Sequence, residues 1–414
     1  MNKDIPYVES LPSHWSVIQN RFLFRYDGKK VGEDFSKYQL LSLTTSGVKE
    51  RDINASGGKV PASYDNYQTV RKGQMVFCLF DLDCSAVFSG ISNYDGMITS
   101  AYDVFSSTGR MDNAFADYWF KFVFSNRYYK MFSKSIRYTI TGDMFRSLKT
   151  PVPPHDEQKK ISAYLFEKEH KIDELISNVQ TQIDKLKEYK QRVITEVVTK
   201  GLDPTVPMKD SGVEWIGEIP EHWDVAPINA LFRIKKDIIG REPDCVLSIT
   251  QQGLKVKDIS VNEGQMAANY DKYQIVNVGD FAMNHMDLLT GGVGISEYEG
   301  VTSPDYRVFV LKNKEMNSRY FLHIFEMYYR NKIFYAFGQG AANVGRWRLP
   351  AQNFKSTYIP VAPISEQDEI ASYLDAKFKK VDQLIAIKQE KIDKLNEYKK
   401  SLIYEYVTGK KEVQ

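Results

Sequence analysis

A long segment that occurs twice restricts what this chain can fold into more than any other feature of the sequence. Residues 151–201 and 360–410 are near copies at a constant offset of 209 residues, with no gap between them. Each copy opens with the pattern P-x-x-P-x-x-E-Q, at Pro151 and at Pro360. A charged amphipathic stretch follows in both copies, which predicts two related long helices.

The apolar residues of these two helices recur with alternating steps of four and three. Such spacing is typical of the narrow seam of a coiled coil, not of the broad apolar stripe of a surface helix. With about 44 residues at about 1.5 Å each, either helix spans roughly 65 Å and needs a partner, for which the other copy is the obvious candidate. Lys190 and Lys399 take matching core positions, where a polar residue fixes the register. The predicted seam consists of Ile172, Ile176, Val179, Ile183, Leu186, Val193 and Val197 in the first copy and Val381, Ile385, Ile392, Leu395, Leu402 and Tyr406 in the second.

The duplication extends over the whole chain. Residues 11–15 (LPSHW) recur as 219–223 (IPEHW), and residues 64–68 (YDNYQ) recur as 270–274 (YDKYQ). The offsets change by a few residues from pair to pair, which indicates loop insertions in a shared fold. We therefore expect two copies of one unit, a globular domain followed by a long helix, related by a pseudo-two-fold axis. The expected boundaries are 1–150 for the first domain, 151–205 for the central helix, 206–359 for the second domain and 360–414 for the C-terminal helix.

Each globular domain carries a mixed pattern of strands and helices. Residues 38–44 and 75–79 alternate or run apolar as strands do. Residues 117–132 and 318–337 are typical of helices dense in aromatic side chains. The expected fold class is α+β, with two mixed α/β globular domains separated by two long antiparallel coiled-coil helices.

Composition limits the classes of protein to which the chain can belong. Its 414 residues are 43% hydrophobic and 13% aromatic, enough for more than one hydrophobic core. A net charge of +2 means that any nucleic-acid site has to be a local basic patch. Three cysteines without metal-ligand spacing favour reduced thiols in the cytoplasm. No apolar stretch approaches the roughly 20 residues of a membrane span, so we expect no membrane association.

These duplicated motifs resemble those of the specificity (S) subunits of type I restriction–modification systems. The resemblance covers the whole chain. It rests on the two P-x-x-P-x-x-E-Q helix openings, on the end of the first helix at 195–203 (TEVVTKGLD) and on the linker at 208–223 (MKDSGVEWIGEIPEHW). The order of these motifs and their duplication carry the resemblance together.

The resemblance implies a non-catalytic subunit with two target-recognition domains, each of which reads one half of a split sequence in double-stranded DNA. It also implies that the helices set the distance between the half-sites and dock modification subunits, two per chain, which carry the adenine methyltransferase activity. Restriction subunits with ATP-dependent endonuclease activity would join the same complex. No cofactor is expected on this chain; S-adenosylmethionine, ATP and magnesium would belong to the partner subunits.

The segment just before each long helix is the first candidate for DNA contact. Residues 137–139 (RYT) align with residues 346–348 (RWR) at the helix offset of 209. A basic residue beside an aromatic one suits a phosphate or a base edge. The alternative is a half-buried strand with a structural arginine. The predicted contacts are Lys134, Arg137, Tyr138 and Thr139 in the first domain and Gln339, Asn343, Arg346, Trp347 and Arg348 in the second.

A polar loop before the repeated Tyr-Asp-x-Tyr element is the second candidate. Lys49, Arg51 and Lys59 lie there in the first domain, and Lys255 and Lys257 lie there in the second. A solvated charged hairpin explains these residues as well as a DNA contact does. The tyrosines themselves recur in both domains, which favours packing in the core.

The sequence patterns of catalytic chemistry are missing. Adenine methylation would need an Asn/Asp-Pro-Pro-aromatic element, and ATP hydrolysis a GxxxxGK[ST] loop; neither occurs in the sequence. His14 and His222 each precede a tryptophan in the two copies, which favours a shared structural role. Two alternatives to DNA recognition stay open: a coiled-coil scaffold protein without sequence-specific DNA binding, and an enzyme that acts alone on DNA.

Overall fold

The structure is a computed structural model that describes residues 5–52, 63–133, 135, 137–258, 267, 269–340 and 347–413. Contacts divide the chain into two compact units. Unit 1 comprises Met1–Gln180 and Glu390–Gln414, and unit 2 comprises Thr181–Gln389. Each unit therefore holds one globular domain together with part of each long helix.

Unit 1 is built from short strands, three short helices and the start of a long helix. Its strands are β1 (Ser16–Gln19), β2 (Phe24–Tyr26), β3 (Leu41–Thr44), β4 (Gly47–Glu50), β5 (Gln68–Val70), β6 (Met75–Phe77), β7 (Ser89–Ile91), β8 (Gly96–Ile98), β9 (Asp103–Ser107) and β10 (Lys149–Val152). Its helices are α1 (Asn20–Leu23), α2 (Asn113–Ser125), α3 (Gly142–Ser147) and the N-terminal part of α4 (His155–Lys200), with 3₁₀ turns at Gly32–Lys37 and Tyr128–Phe132.

Unit 2 repeats this order of elements after an additional two-stranded hairpin. Its strands are β11 (Met208–Asp210), β12 (Glu218–Pro220), β13 (Asp224–Pro227), β14 (Phe232–Lys235), β15 (Leu247–Thr250), β16 (Gly253–Val256), β17 (Gln274–Val276), β18 (Phe281–Met283), β19 (Val293–Ile295), β20 (Gly300–Thr302), β21 (Arg307–Leu311) and β22 (Tyr358–Val361). Its helices are α5 (Ile228–Leu231), α6 (Ser318–Arg330), α7 (Ile333–Ala336), α8 (Ala351–Ser356) and most of α9 (Ile364–Val407).

A four-stranded antiparallel sheet and one aromatic helix form the centre of each unit. The strand order is β2-β9-β6-β7 in unit 1 and β14-β21-β18-β19 in unit 2, so the topology is the same. Helix α2 lies against β7, and α6 lies against β19 in the same way. Because both helices are almost entirely apolar on the inner face, they bury a dense aromatic core. That core includes Phe77, Phe105, Trp119, Phe120 and Phe145 in unit 1 and Phe281, Phe309, Tyr320, Phe325 and Tyr328 in unit 2.

The aromatic helices are shorter than the sequence predicts. Residues 117–132 were expected to form one helix, but α2 ends at Ser125 and a 3₁₀ turn follows at Tyr128–Phe132. Arg127 adopts a left-handed conformation with φ 60° between them. Lys332 does the same in unit 2 with φ 58°, and it separates α6 from α7. A residue in the left-handed conformation ends the helical hydrogen-bond pattern. Glycine or asparagine usually takes such a position, so an arginine or a lysine there does not indicate the end of a helix in the sequence.

The repeated His-Trp and Glu-Gln motifs join each domain to the start of its long helix. The indole Nε1 of Trp15 donates to Glu157 Oε1 at 3.0 Å, and His14 Nε2 lies 2.9 Å from Glu157 Oε2. The buried Gln158 accepts from the backbone N–H of Asp112 at 2.6 Å, and Asp112 in turn caps α2. The structural role predicted for the histidines is confirmed. His222, Trp223, Glu366, Gln367 and Asn317 repeat these bonds in unit 2.

The two long helices run antiparallel within each unit. In unit 1, the ring centres of Tyr164 and Tyr406 are 4.7 Å apart, and Lys399 Nζ lies 2.9 Å from the carboxylate of Asp173. In unit 2, Lys190 Nζ lies 2.8 Å from Asp382, and Lys388 donates to Gln182 at 2.5 Å. The predicted seam is confirmed, since its members are buried or half-buried. Lys190 and Lys399 are both half-buried, and each bonds a carboxylate of the opposite helix.

Neither long helix holds an apolar stretch sufficient to cross a bilayer. The same is true of each shorter helix in the part of the chain that the structure describes.

Candidate nucleic-acid interface

Three loop segments meet at one edge of the sheet in unit 1. The first is the β6–β7 connection, and the second is the segment just before α3. They pair through backbone hydrogen bonds from Asp81 N to Arg137 O at 3.1 Å and from Ile140 N to Leu79 O at 2.9 Å. The third is the β3–β4 turn, which lies so close to β7 that a Cβ at Gly90 would meet the Cα of Gly47 at 2.8 Å.

The same three segments meet in unit 2. Leu288 N donates to Trp347 O at 3.3 Å, and Leu349 N donates to His285 O at 2.8 Å. The side chain of Gln251, in the β15–β16 turn, donates to the carbonyl of Thr290 at 3.1 Å. The two domains therefore share the same backbone framework of three loops, and the side chains on these loops differ between them. We call these two frameworks the loop cluster of unit 1 and the loop cluster of unit 2.

The predicted contact residues 137–139 lie in the loop cluster of unit 1. Arg137 is exposed and its guanidinium bonds Asp81. Tyr138 is half-buried, with φ 45° and with Lys130 Nζ 4.1 Å from the centre of its ring. Thr139 is exposed, and its backbone N–H donates to Ser135 Oγ at 2.8 Å. Lys134 falls outside the described residues.

The predicted lysines and arginine of the hairpins stand beside these clusters. Lys49 is exposed on β4, whereas Arg51 is half-exposed and its backbone N–H donates to Leu40 O at 2.9 Å. Lys255 is exposed on β16, and its Nζ donates to Gln252 Oε1 at 2.6 Å. Lys257 follows that strand and is half-exposed. Lys59 falls outside the described residues.

In unit 2 the predicted residues split between surface and packing positions. Gln339 and Arg348 are both exposed, and their backbones exchange two hydrogen bonds at 2.8 and 3.1 Å. Trp347 is half-buried; its indole donates to Tyr335 O at 2.7 Å, and its ring fills the space beside Gly338. Asn343 and Arg346 fall outside the described residues.

The sequence reading missed Arg307, which supports the loop cluster of unit 2 from below. Its side chain is buried, with Nη2 donating to Leu349 O at 2.9 Å and the guanidinium 4.7 Å from the centre of the Phe354 ring. Burial lowers the pKa of Arg307 to about 10. Asp103 takes the matching strand position in unit 1, and burial raises the pKa of that carboxyl. The recurrence of YDVF at 102–105 as YRVF at 306–309 is a signal that would have found both.

His285 is a second residue that the sequence reading left without a role. Burial, together with the charges of Arg307 and Arg348, lowers its pKa to about 3. Its Nδ1 is buried and has no hydrogen-bond partner among the residues that the structure describes. The histidine is therefore a neutral side chain beneath the loop, surrounded by positive charge.

Within the described ranges, no three His, Cys, Asp or Glu side chains come together as a metal site would require. The loop clusters offer instead what nucleic-acid contacts use. They combine exposed arginine, lysine and glutamine side chains with a backbone that other parts of the domain hold in place.

Comparison with known proteins finds one matching family model and several similar chains. Residues 224–408 match the family model of the type I restriction modification DNA specificity domain. Two curated proteins of Methanocaldococcus jannaschii are similar to the chain: a putative type I restriction enzyme MjaX specificity subunit, 28% identical over 66% of this chain, and the type I restriction enzyme MjaVIII specificity subunit, 25% identical over 64%. The chain covers 61% and 63% of the lengths of these relatives.

A solved structure shows the same fold over the whole length. The solved chain was reported under a title on the complex assembly and conformational transition of the type I R-M system. It covers 97% of this chain and 99% of its own length, with a TM-score of 0.67 at 12% identity. Together with the duplicated helix openings, these findings show that residues 224–408 match the type I DNA specificity domain and that the chain is similar to type I specificity subunits in sequence and fold.

Proposed function

We propose that this chain recognises a two-part sequence in double-stranded DNA, and that each loop cluster reads one part. The observation that carries the proposal is the loop cluster itself. It occurs in both units with matching backbone hydrogen bonds but with different side chains. Leu79, Asp103 and Thr139 of unit 1 are replaced by His285, Arg307 and Arg348 at the matching positions of unit 2. A shared scaffold with unlike side chains is what reading two unlike half-sites requires.

The long helices have two roles in this proposal. They set the distance between the half-sites, and they dock the methyltransferase subunits. Apolar side chains that lie off the seam support the second role, because the helix pair leaves them uncovered. They are Leu175, Tyr189, Ile387 and Tyr398, with exposed fractions of 48%, 44%, 62% and 55%.

The chain itself acts without catalysis in this proposal. Two modification subunits would supply the adenine methyltransferase activity with S-adenosylmethionine, and restriction subunits would supply ATP- and magnesium-dependent cleavage. The cofactors would therefore be bound by partner chains. This chain contributes the choice of DNA sequence.

The experiment is a selection from random duplex DNA by the full chain in complex with its methyltransferase subunits. We expect recovery of two short sequences separated by a gap of fixed length. Binding should weaken as salt rises, because each neutralised phosphate releases counterions. Recovery of unrelated duplexes by a stable protein complex would instead support the scaffold alternative.

The enzyme alternative is tested on the purified chain alone. We expect no methyl transfer and no cleavage when the chain is incubated with duplex DNA, S-adenosylmethionine, ATP and magnesium. Steady turnover under these conditions would contradict the proposal.

A further inference from the structure

Arg137 and Asp81 form a two-pronged ion pair on the surface of the loop cluster of unit 1. The guanidinium Nε donates to Asp81 Oδ1 and Nη2 donates to Asp81 Oδ2, both at 3.1 Å. The side chain of Arg137 is 77% exposed, whereas that of Asp81 is 26% exposed. The carboxylate is thus the fixed partner, and the arginine projects from it towards solvent.

The backbone holds both ends of this pair. Asp81 N donates to Arg137 O at 3.1 Å, and Leu82 N donates to Tyr138 O at 3.3 Å. Both Asp81 and Tyr138 adopt left-handed conformations, which turn the chain on either side of the pair. Lys130 covers the ring of Tyr138 and fixes the neighbouring residue. An arginine held in this way loses little further conformational freedom when it binds, so more of the contact energy appears as affinity.

The geometry also limits which face of the arginine can read a base. A guanidinium has one edge made by Nε and Nη2 and a second edge made by Nη1 and Nη2. Asp81 occupies the first edge, so the outward edge at the end of the side chain remains for a ligand. That edge carries two parallel N–H donors. In the major groove, guanine is the base that presents two acceptors side by side, N7 and O6.

We propose that Arg137 reads a guanine end-on in the half-site of unit 1, and that Asp81 is the positioning residue for this contact. The inference rests on the proposed function, since it assumes that unit 1 reads DNA. The inference assigns a guanine contact to Arg137 and a positioning role to Asp81, which is not among the predicted DNA contacts.

The matching aspartate of unit 2 is used differently. Asp287 stands where Asp81 does in the backbone ladder, but its carboxylate accepts from Leu289 N at 3.0 Å, from Thr290 N at 2.9 Å and from the Thr290 hydroxyl. It therefore closes its own loop. The guanine contact is an inference for unit 1 alone, and the half-site of unit 2 serves as an internal control.

The test uses the full complex and the two-part duplex obtained by selection. Each guanine in the half-site of unit 1 is replaced in turn by 7-deazaguanine, which pairs normally but lacks the N7 acceptor. At one position we expect the unaltered complex to lose roughly 10- to 100-fold in affinity. The Arg137→Ala complex should show the same loss on normal DNA and no further loss with the modified base at that position.

Two more variants separate reading from charge and from folding. Arg137→Lys keeps the positive charge but cannot donate two parallel bonds, so it should also become insensitive to 7-deazaguanine at that position. Asp81→Asn should reduce the preference for guanine over adenine there and leave the other half-site unchanged. Asp34→Asn breaks another exposed ion pair of unit 1, between Asp34 and Lys37, and should change neither preference.

The possible results separate the inference from the function on which it rests. If the selection yields no two-part sequence, the proposed function fails. If sequence-specific binding is found but Arg137→Ala stays as sensitive to 7-deazaguanine at every position as the unaltered complex, only this inference fails. In that case Arg137 contacts a phosphate or stabilises the loop, and Asp81→Asn would weaken binding without changing base preference.

Discussion

At the scale of single residues, His285 and His323 show how surroundings within one unit set opposite pKa shifts. Burial and, to a smaller extent, nearby cationic side chains together lower the pKa of His285 to about 3. Burial alone would also lower the pKa of His323, but hydrogen bonds to Asp375 and Glu326 outweigh it and the pKa is raised. Asp375 also binds Arg319, and although burial opposes it, these bonds lower the pKa of Asp375 to about 2.

These shifts predict opposite pH dependences. His285 stays neutral in the folded protein while the unfolded chain takes up a proton below about pH 6.5, so its contribution to stability falls as the pH drops from there towards 3. The contribution of His323 is present below about pH 6.5 and is lost as the pH rises through its raised pKa.

The free energy of unfolding, measured against pH by urea unfolding with tryptophan fluorescence, tests both assignments. We expect His285→Gln to reduce its fall below pH 6.5, and His323→Gln to reduce its fall above pH 6.5. Changes on the same side of pH 6.5 would contradict these assignments.

Arg307 and Arg348 give a matched pair of stability predictions. Arg307→Met removes the donor to the buried carbonyl of Leu349, and we expect the free energy of unfolding to fall by about 1–3 kcal/mol. Arg348→Met changes an exposed side chain and should alter it by less than about 0.5 kcal/mol. Chemical denaturation of both variants measures the difference, and equal effects would show that Arg307 does not support the loop.

The sequence did not show which residues organise the candidate surface. The aligned residues 137–139 and 347–348 lie in the loop clusters, and their contact with DNA stays a prediction. Asp81 was missed because its role depends on pairing with a segment more than fifty residues away, and no local pattern encodes such pairing. The repeated dipeptide Asp-Leu, at 81–82 and at 287–288, was the available signal.

At the scale of secondary-structure elements, each long helix has one lysine in the seam, and the two lysines differ in the burial of the carboxylates beside them. Lys190 bonds Asp382, which is 57% exposed, and it lies 4.8 Å from the centre of the Phe378 ring. Lys399 bonds Asp173 and also lies 3.5 Å from Glu169, which is only 14% exposed. The heptad pattern predicted the heptad positions of both lysines. It could not show that Lys399 lies beside the half-buried carboxylate of Glu169, which Tyr118 and Lys121 of α2 also contact.

Leucine at each position should therefore have opposite effects. We expect Lys190→Leu to raise the free energy of unfolding by about 1 kcal/mol, because an apolar side chain extends the seam and Asp382 remains hydrated. Lys399→Leu should lower it by a similar amount, about 1 kcal/mol or more, because Glu169 loses a counter-ion. Urea unfolding followed by circular dichroism measures both, and shifts of the same sign would contradict the distinction.

At the scale of the whole molecule, the long helices pass through both units, and the ion pairs that fix their register stay within one unit each. Asp173–Lys399 belongs to unit 1, and Lys190–Asp382 belongs to unit 2. The sequence predicted the two long helices, because a duplicated heptad pattern and the repeated Glu-Gln motif are local signals. The sharing of each helix between two units could not be read from it, since that depends on which segments contact which.

The proposed spacing role predicts the effect of lengthening the helices. Inserting one heptad after Gln180 and another after Gln389 keeps the seam and both ion pairs, and adds about 10.5 Å to each helix. We expect the gap between the two recognised sequences to grow by about three base pairs, measured by repeating the selection. A heptad in one helix alone should destabilise the pair. An unchanged gap with both insertions would show that the helices do not set it.

The most direct test of DNA recognition is a genome-wide map of methylated adenines in cells that make this chain together with its methyltransferase subunits. We predict that methylation falls in a single two-part sequence with a gap of fixed length, and that it disappears when this chain alone is removed. Methylation of the same sites without the chain, or of one continuous sequence, would contradict the account.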